Sequence, residues 1–190
     1  FGAGIRMKVV PTDLPGVLVV EPAVYRDERG FFLEQFQLKR YEDAGIEGPW
    51  TQENLSRSRK GTLRGLHFQE PNAQGKLVMV VAGAVFDVAV DIRRGSPTFG
   101  NWFGCELNDE NRHQLWVPPG FAHGFVTLSD TADFFYKCAR SFYDPASEGV
   151  VRYNDPAIGI QWPLDEISVN DRDGAAPLLE NAENLPAFQG

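Results

Sequence analysis

Three histidines and two cysteines are the side chains of this 190-residue sequence best suited to move protons or act as nucleophiles, and each can be weighed separately. His67, His113 and His123 are widely spaced, with no His-x-His and no Cys-x-x-Cys. That pattern argues against a bound metal, because histidine-rich centres in small β-barrels usually draw a close ligand pair from one strand. His67 lies in Leu63-Arg64-Gly65-Leu66-His67-Phe68-Gln69, where a glycine amid strand residues signals a bulge or a close approach of backbones. Its imidazole is either hydrogen-bonded in the core or a general acid–base group. Arg64 and His67 differ in parity, so a regular strand sends them to opposite faces. Either Gly65 breaks the alternation or the two do not share a site.

His123 follows the turn Pro118-Pro119-Gly120, and alternation groups it with Phe121, Phe125 and Thr127 on a largely apolar face. Taken alone it reads as a structural histidine. His113, beside Asn111, Arg112 and Gln114, reads as a solvated turn residue. Tyr136 shares a strand face with Phe134 and Cys138, so it is either a core anchor or a phenolic acid in a pocket. Cys138 has no neighbouring histidine to make it a nucleophile and reads as a small buried hydrophobe. No phosphate-binding glycine loop and no Gly-x-Ser-x-Gly occurs.

The elements that must position these groups follow an all-β rhythm. Runs of Val, Phe, Leu and Ile alternate with Gly, Pro, Asp or Asn clusters about every ten residues. Candidate strands are 17–24, 31–36, 50–56, 63–69, 76–81, 84–92, 101–107, 114–117, 121–128 and 133–139. The clearest is 84–92, where Phe86, Val88, Val90 and Ile92 fall on one face and Asp87 and Asp91 on the other. Only 38–44 reads as helix, and the tail from 165 reads as a mixture of helical turn and loop. Residues 1–6 share no pattern with the chain beyond Met7 and read as an expression remnant, leaving 7–190 as one domain. So many strands in one domain must hide their edges, and a jelly roll or barrel does so, its mouth being a natural ligand site.

Composition sets further limits. Hydrophobic residues make up 43% and aromatics 12%, enough for a substantial core. A net charge of −8 argues against nucleic acid or an anionic membrane as partner, although a few arginines in one cleft can still hold an anionic small molecule. Two cysteines are too few for a disulfide scaffold, and the expectation is a reducing cytoplasm. No apolar run reaches the roughly 20 residues of a membrane helix.

Taken in order, several segments are more informative than any one. They are Arg29-Gly30-Phe31-Phe32-Leu33-Glu34, Gln52-Glu53-Asn54-Leu55-Ser56, the Leu63–Gln69 segment, Gln74-Gly75-Lys76-Leu77-Val78 and Asp87-Val88-Ala89-Val90-Asp91-Ile92-Arg93. Ser96-Pro97-Thr98-Phe99-Gly100, the Pro118–Phe125 segment, Tyr136-Lys137-Cys138, Asn154-Asp155-Pro156 and Ile160-Gln161-Trp162-Pro163 complete the set. From about residue 17 to 177 the chain resembles the dTDP-4-dehydrorhamnose 3,5-epimerase family of cupin-type deoxysugar epimerases.

That resemblance implies an all-β double-stranded β-helix jelly roll with short peripheral helices, a homodimer, no metal or other cofactor, and a dTDP-4-keto-6-deoxyhexose substrate. It implies epimerisation at C3 and C5 of dTDP-4-dehydro-6-deoxy-D-glucose to dTDP-4-dehydro-L-rhamnose. Carried over by motif, His67 is the base, Tyr136 the acid, Asp173 (rather than Asp171) the partner that fixes the His67 tautomer, and Lys76 the cation near the developing enolate. The substrate contacts fall on Arg29, Glu34, Gln52, Asn54, Arg64, Lys76, His123, Glu148 and Arg172. Arginine forks suit a diphosphate and amide side chains suit a pyrimidine edge. On the resemblance, His123 moves from core residue to substrate contact. Between Tyr136 and Pro145 the chain has one residue more than the family spacing, so a bulge is expected after Cys138, and either Phe142 or Tyr143 supplies the second family aromatic. Relatives with nearly the same motifs epimerise C3 or C5 alone, or shift the ketone. The presence of His67, Lys76 and Tyr136 together favours double epimerisation, and a non-catalytic nucleotide-sugar-binding jelly roll is the competing reading.

Overall fold

The structure, a computed structural model, describes residues 7–189; the expectation for residues 1–6 lies outside them. The strands in chain order are β1 (Lys8–Pro11), β2 (Leu18–Glu21), β3 (Val24–Asp27), β4 (Gly30–Leu33), β5 (Trp50–Arg59), β6 (Leu63–Gln69) and β7 (Gly75–Ala82). Then come β8 (Ala84–Asp91), β9 (Trp102–Asn108), β10 (Gln114–Val117), β11 (Phe121–Thr127), β12 (Thr131–Ala139) and β13 (Glu148–Val150). Helix α1 (Leu38–Asp43) follows β4, helix α2 (Asp171–Gly174) lies in the tail, and a 3₁₀ turn spans Leu179–Asn181.

Two antiparallel sheets face each other as a jelly roll, one in the order β1-β2-β10-β7-β12-β5 and the other β13-β6-β11-β8-β9; β3 and β4 form a separate hairpin. The expected all-β jelly roll with short peripheral helices is thus the observed fold. Each candidate strand overlaps an observed one, but 17–24 is too long: β2 stops at Glu21 because Pro22 has no N–H for the ladder. The short strands β1 and β13 carried too few alternating residues to register as patterns.

Three apolar layers result. Leu14, Val17, Val78, Leu115, Phe121, Phe125 and Phe134 fill the space between the sheets. Tyr41, Ile46, Met79 and Trp116 pack outside the six-stranded sheet. Leu66, Phe68, Val88, Val90 and Ile92 pack outside the five-stranded sheet under Val151, Ile158, Leu179 and Ala182 of the tail. The apolar face of β8 therefore turns outward beneath the tail, while Asp87 points into the barrel beside Val85 and Ala89. A carboxylate tolerates that position only with a partner, and Asp87 has His123.

Candidate active site

The parity conflict between Arg64 and His67 is resolved by one extra residue. In the β6–β11 ladder His67 stands opposite His123 and Arg64 opposite Phe125, so three steps along β6 match two along β11 and the two share one face of the sheet, His67 half-buried and Arg64 exposed. Gly65 is where the bulge sits. Its φ is +134°, and a Cβ there would lie 2.5 Å from Gly124 Cα and 2.8 Å from the His123 carbonyl oxygen. The sequence signal for both a bulge and a close backbone approach is borne out at this position.

Arg64 then donates from Nε to Ser58 Oγ at 3.0 Å. His67 Nε2 lies 2.9 Å from Asp173 Oδ1, and the other oxygen of that carboxylate accepts the Gly65 N–H at 3.1 Å. Asp173 is set by the short helix α2, whose cap Asn170 accepts the Asp173 N–H at 2.7 Å. Burial pushes the Asp173 carboxyl up, but the His67 hydrogen bond and charge, the Gly65 N–H and Arg172 outweigh it and hold it below the usual carboxylate range. Arg172 Nη2, which can only donate, also stands 3.0 Å from this Nε2; where Nε2 carries the proton toward the Asp173 carboxylate, which only accepts, Nδ1 carries the free lone pair.

The opposite wall belongs to the other sheet. Asn54 stands opposite Tyr136 and Gln52 opposite Cys138 across β5 and β12, while Lys76 on β7 stands opposite Cys138. Period two turns all five side chains to one face. They meet His67, Gln69 and Glu148 around a cavity of about 260 Å³ that Phe68, Gln74 and Tyr143 complete. Lys76 Nζ stands 6.0 Å from the Tyr136 ring centre. Burial pushes the Tyr136 phenol up, so it stays protonated at neutral pH. Burial pushes the Lys76 ammonium down, opposed by Cys138, Glu148 and Asp87.

At the cavity wall Arg172 Nη1 donates to Glu148 Oε2 at 2.5 Å and Tyr143 donates its hydroxyl to the same oxygen at 2.9 Å. Of the two candidate aromatics, Tyr143 lines the cavity and Phe142 is 67% exposed. The expected irregularity after Cys138 is present as a register shift between Cys138 and Ala139.

Not every expected contact meets here. Arg29 sits in the β3–β4 hairpin, paired with Asp27 at 2.5 Å, and Glu34 pairs with Arg40; neither lines the cavity. Nor do the exposed Arg64 and Arg172, and Arg172 reaches it only through Glu148 and His67. His123 is buried behind the cavity against Asp87. Phe68, Gln69, Gln74 and Cys138 line the cavity without having been singled out as site residues. Alternation from His67 and Tyr136 points to Gln69 and Cys138; Gln74, in the loop before β7, leaves no such trace. A larger apolar hollow of about 460 Å³ beside Phe31, Phe32, Met79 and Phe135 offers Arg112 but no acid–base pair. Among the described residues no three His, Cys, Asp or Glu side chains are grouped as a metal ion requires.

The model of the dTDP-4-dehydrorhamnose 3,5-epimerase family matches residues 11–181. The chain is 54% identical over 179 residues to a dTDP-4-dehydrorhamnose 3,5-epimerase from Salmonella typhimurium, covering 93% of this chain and 97% of the relative. Its fold superposes with a TM-score of 0.94, at 52% identity, on a dTDP-6-deoxy-D-glucose-3,5-epimerase from Legionella pneumophila in complex with dTDP-4-keto-L-rhamnose, covering 97% and 100% of the two chains. A 3′-monoepimerase from Streptomyces bikiniensis in complex with dTDP-quinovose superposes with a TM-score of 0.88 at 38% identity, covering 94% and 92%.

Proposed function

The chain belongs to the dTDP-4-dehydrorhamnose 3,5-epimerase family, and from that premise we propose how its own side chains carry out the reaction. The enzyme is an isomerase that inverts C3 and C5 of dTDP-4-dehydro-6-deoxy-D-glucose to give dTDP-4-dehydro-L-rhamnose. Each inversion starts at a C–H bond beside the C4 ketone. His67 Nδ1 takes the proton, the bonding pair moves into the C4 oxygen as an enolate, and the Tyr136 hydroxyl returns a proton to the other face. The Lys76 ammonium stabilises the enolate, an interaction that strengthens as charge develops in a dry site. Asp173 keeps the lone pair on Nδ1. In this reading Arg64 and Arg172 take the diphosphate, with Glu148 released from Arg172 as the ligand enters, and Gln52 and Asn54 take the base.

The observation that carries this reading is that imidazole and phenol enter one cavity from opposite sheets, as inversion requires. In deuterium oxide the 4-keto sugar nucleotide should gain deuterium at both C3 and C5, and His67→Ala should abolish both. Deuterium at a single carbon reassigns the protein as a mono-epimerase, the activity carried by the Streptomyces neighbour. Tight dTDP binding without exchange selects the non-catalytic reading.

We further propose a homodimer. Register sets Leu55, Phe135 and Met79 side by side on the outer face of β5, β12 and β7, where Leu55 is 66% and nearby Val81 50% exposed. A second copy covering this apolar surface also gives Arg29 a purpose: held away from its own cavity, it reaches a diphosphate only in the neighbouring subunit. No helix among the described residues is long and apolar enough to cross a membrane. The free thiols of Cys105 and Cys138 support a reducing, cytoplasmic setting.

A further inference from the structure

Helix α2 carries Asp173 but cannot hold it in place alone. Its four residues make a single helical turn, too short to be stable by itself in water. The tail must therefore be pinned on both sides of α2. Ahead of it, the Ser168 N–H donates to the Gly61 carbonyl and the Ser168 carbonyl accepts from the Leu63 N–H, each at 2.9 Å, which fixes the tail to the start of β6. Behind it, residues 176–179 lie on the segment that follows β13, and two side chains that take no part in the proposed reaction make the attachment. Arg152 donates from Nε to the Ala176 carbonyl at 2.8 Å and from its backbone N–H to the Pro177 carbonyl at 2.9 Å. The buried Asp155 accepts the Leu179 N–H at 2.7 Å on one oxygen and the Ala157 N–H at 2.8 Å on the other.

The segment that makes this clamp is also built into the strand that carries His67. Val150 stands opposite His67 in the β13–β6 ladder, and Val151 and Leu66 exchange backbone hydrogen bonds at 2.9 and 3.2 Å. On the tail side the Ala176 N–H donates to the Asp173 carbonyl at 3.4 Å, so a single residue links Asp173 to the Arg152 guanidinium. Imidazole and carboxylate are thus both placed from residues 150–155.

Their separation matters because His67 Nε2 has two rival partners. Asp173 Oδ1, at 2.9 Å, only accepts and calls for a proton on Nε2. Arg172 Nη2, at 3.0 Å, only donates and calls for a lone pair there. A carboxylate that drifts away leaves Nε2 to the guanidinium and sends the proton to Nδ1, the atom needed as base.

We propose that Arg152 and Asp155 are positioning residues of the epimerisation site, which clamp the tail to the segment after β13 and thereby keep the Asp173 carboxylate on His67 Nε2. This rests on the epimerase reading. Neither residue lines the cavity, and both act through Asp173.

Replacing both, Arg152→Met with Asp155→Ala, removes the three side-chain hydrogen bonds of the clamp. The expected kcat is lower by roughly 10- to 100-fold, the scale of a small misplacement caused far from the reacting atoms, with KM for the keto sugar nucleotide within about threefold. In ¹⁵N-histidine spectra of the ligand-free protein, the His67 proton should move from Nε2 in the wild type toward Nδ1 in the variant. A double-mutant cycle identifies the route: with Asp173→Ala already present, the same two substitutions should lower kcat by less than about twofold more, because the group they place is gone. A folded variant with the wild-type kcat, an unchanged His67 tautomer, or an undiminished loss in the Asp173→Ala background overturns the proposal. Should the double substitution fail to fold, Arg152→Met alone, at a half-buried position, is judged by the same spectra and the same cycle. Wild-type protein that exchanges no deuterium into the keto sugar overturns the epimerase reading instead, and the His67 tautomer still decides whether the clamp holds Asp173.

Discussion

His67 and Tyr136 reach one cavity from opposite sheets, the imidazole from β6 and the phenol from β12. In the proposed mechanism each serves one face of the sugar, so removing them should have different consequences. His67→Ala should abolish solvent exchange, a loss of about 10²–10⁴-fold or more for a general base. Tyr136→Phe should still exchange, since the imidazolium formed on His67 can trade its proton for a solvent deuteron and return it to the same face. Deuterium would then enter with retained configuration while epimer formation falls by about 10²–10⁴-fold. Proton NMR in deuterium oxide separates exchange from inversion in one sample.

Asp173 makes a tautomer argument that can be tested apart from stability. Asp173→Asn preserves size, but its amide NH₂ can donate to His67 Nε2 and drive the imidazole proton onto Nδ1, the atom needed as base. The comparable swap in serine-protease triads costs about 10⁴-fold in kcat, and a loss of that order is expected here with KM changed less than about threefold. Steady-state kinetics checks it; a fall confined to KM would contradict the assignment of Nδ1 as base.

The sequence revealed these partners unevenly, for physical reasons. Period-two alternation was enough to group Tyr136 with Cys138 and His123 with Phe121 and Phe125, because those strands are regular on the relevant side. It misplaces Arg64 against His67, since a single bulge inverts every parity beyond it, and only the glycine warned of that. The long-range partners Asp173 and Glu148 lie far along the chain in segments without periodicity; they came from the ordered family motifs. Arg29 and Glu34 carry the same motif signal but stand outside the cavity, and no reading of one chain tells which copy of a site a surface residue serves.

Asp91 supplies a pH-dependent share of stability. Burial alone pushes its carboxyl up, yet hydrogen bonds from Arg93, Ser96 and Thr98 outweigh that and bring it down to about 2 from an ordinary 3.8. A folded-state value below the unfolded one means the stabilisation is complete above the ordinary carboxylate range and is lost as pH falls toward 2. The shift corresponds to about 2 kcal/mol at neutral pH. Arg93 also lies over Phe121 at 4.4 Å and Phe188 at 5.0 Å, tying the tail to the barrel end. Urea unfolding should show Asp91→Asn less stable by at least about 2 kcal/mol at pH 7, with the gap to wild type narrowing below pH 4 toward pH 2.

Arg29 and His67 offer a direct test of whether one site draws on two subunits. Arg29→Ala should weaken the keto sugar nucleotide by about 1.5–3 kcal/mol, the worth of a charge-assisted hydrogen bond, and His67→Ala should be inactive. At substrate levels well below the raised KM the Arg29→Ala homodimer then works at about a tenth of the wild-type rate or less, and the His67→Ala homodimer not at all. If Arg29 serves the neighbouring subunit, mixing and re-annealing the two variants creates hybrid dimers. In a hybrid, the subunit that kept His67 receives an intact Arg29 from its companion, so one site of two is complete. Activity at low substrate should therefore reappear on mixing, to at most about a quarter of the wild-type level if exchange is statistical and each intact site works alone. If Arg29 acts only within its own chain, no hybrid holds both groups at one site and mixing restores nothing. Leu55→Asp gives the companion control: a charge on the apolar face should shift the protein toward monomer in sedimentation velocity and remove complementation with it.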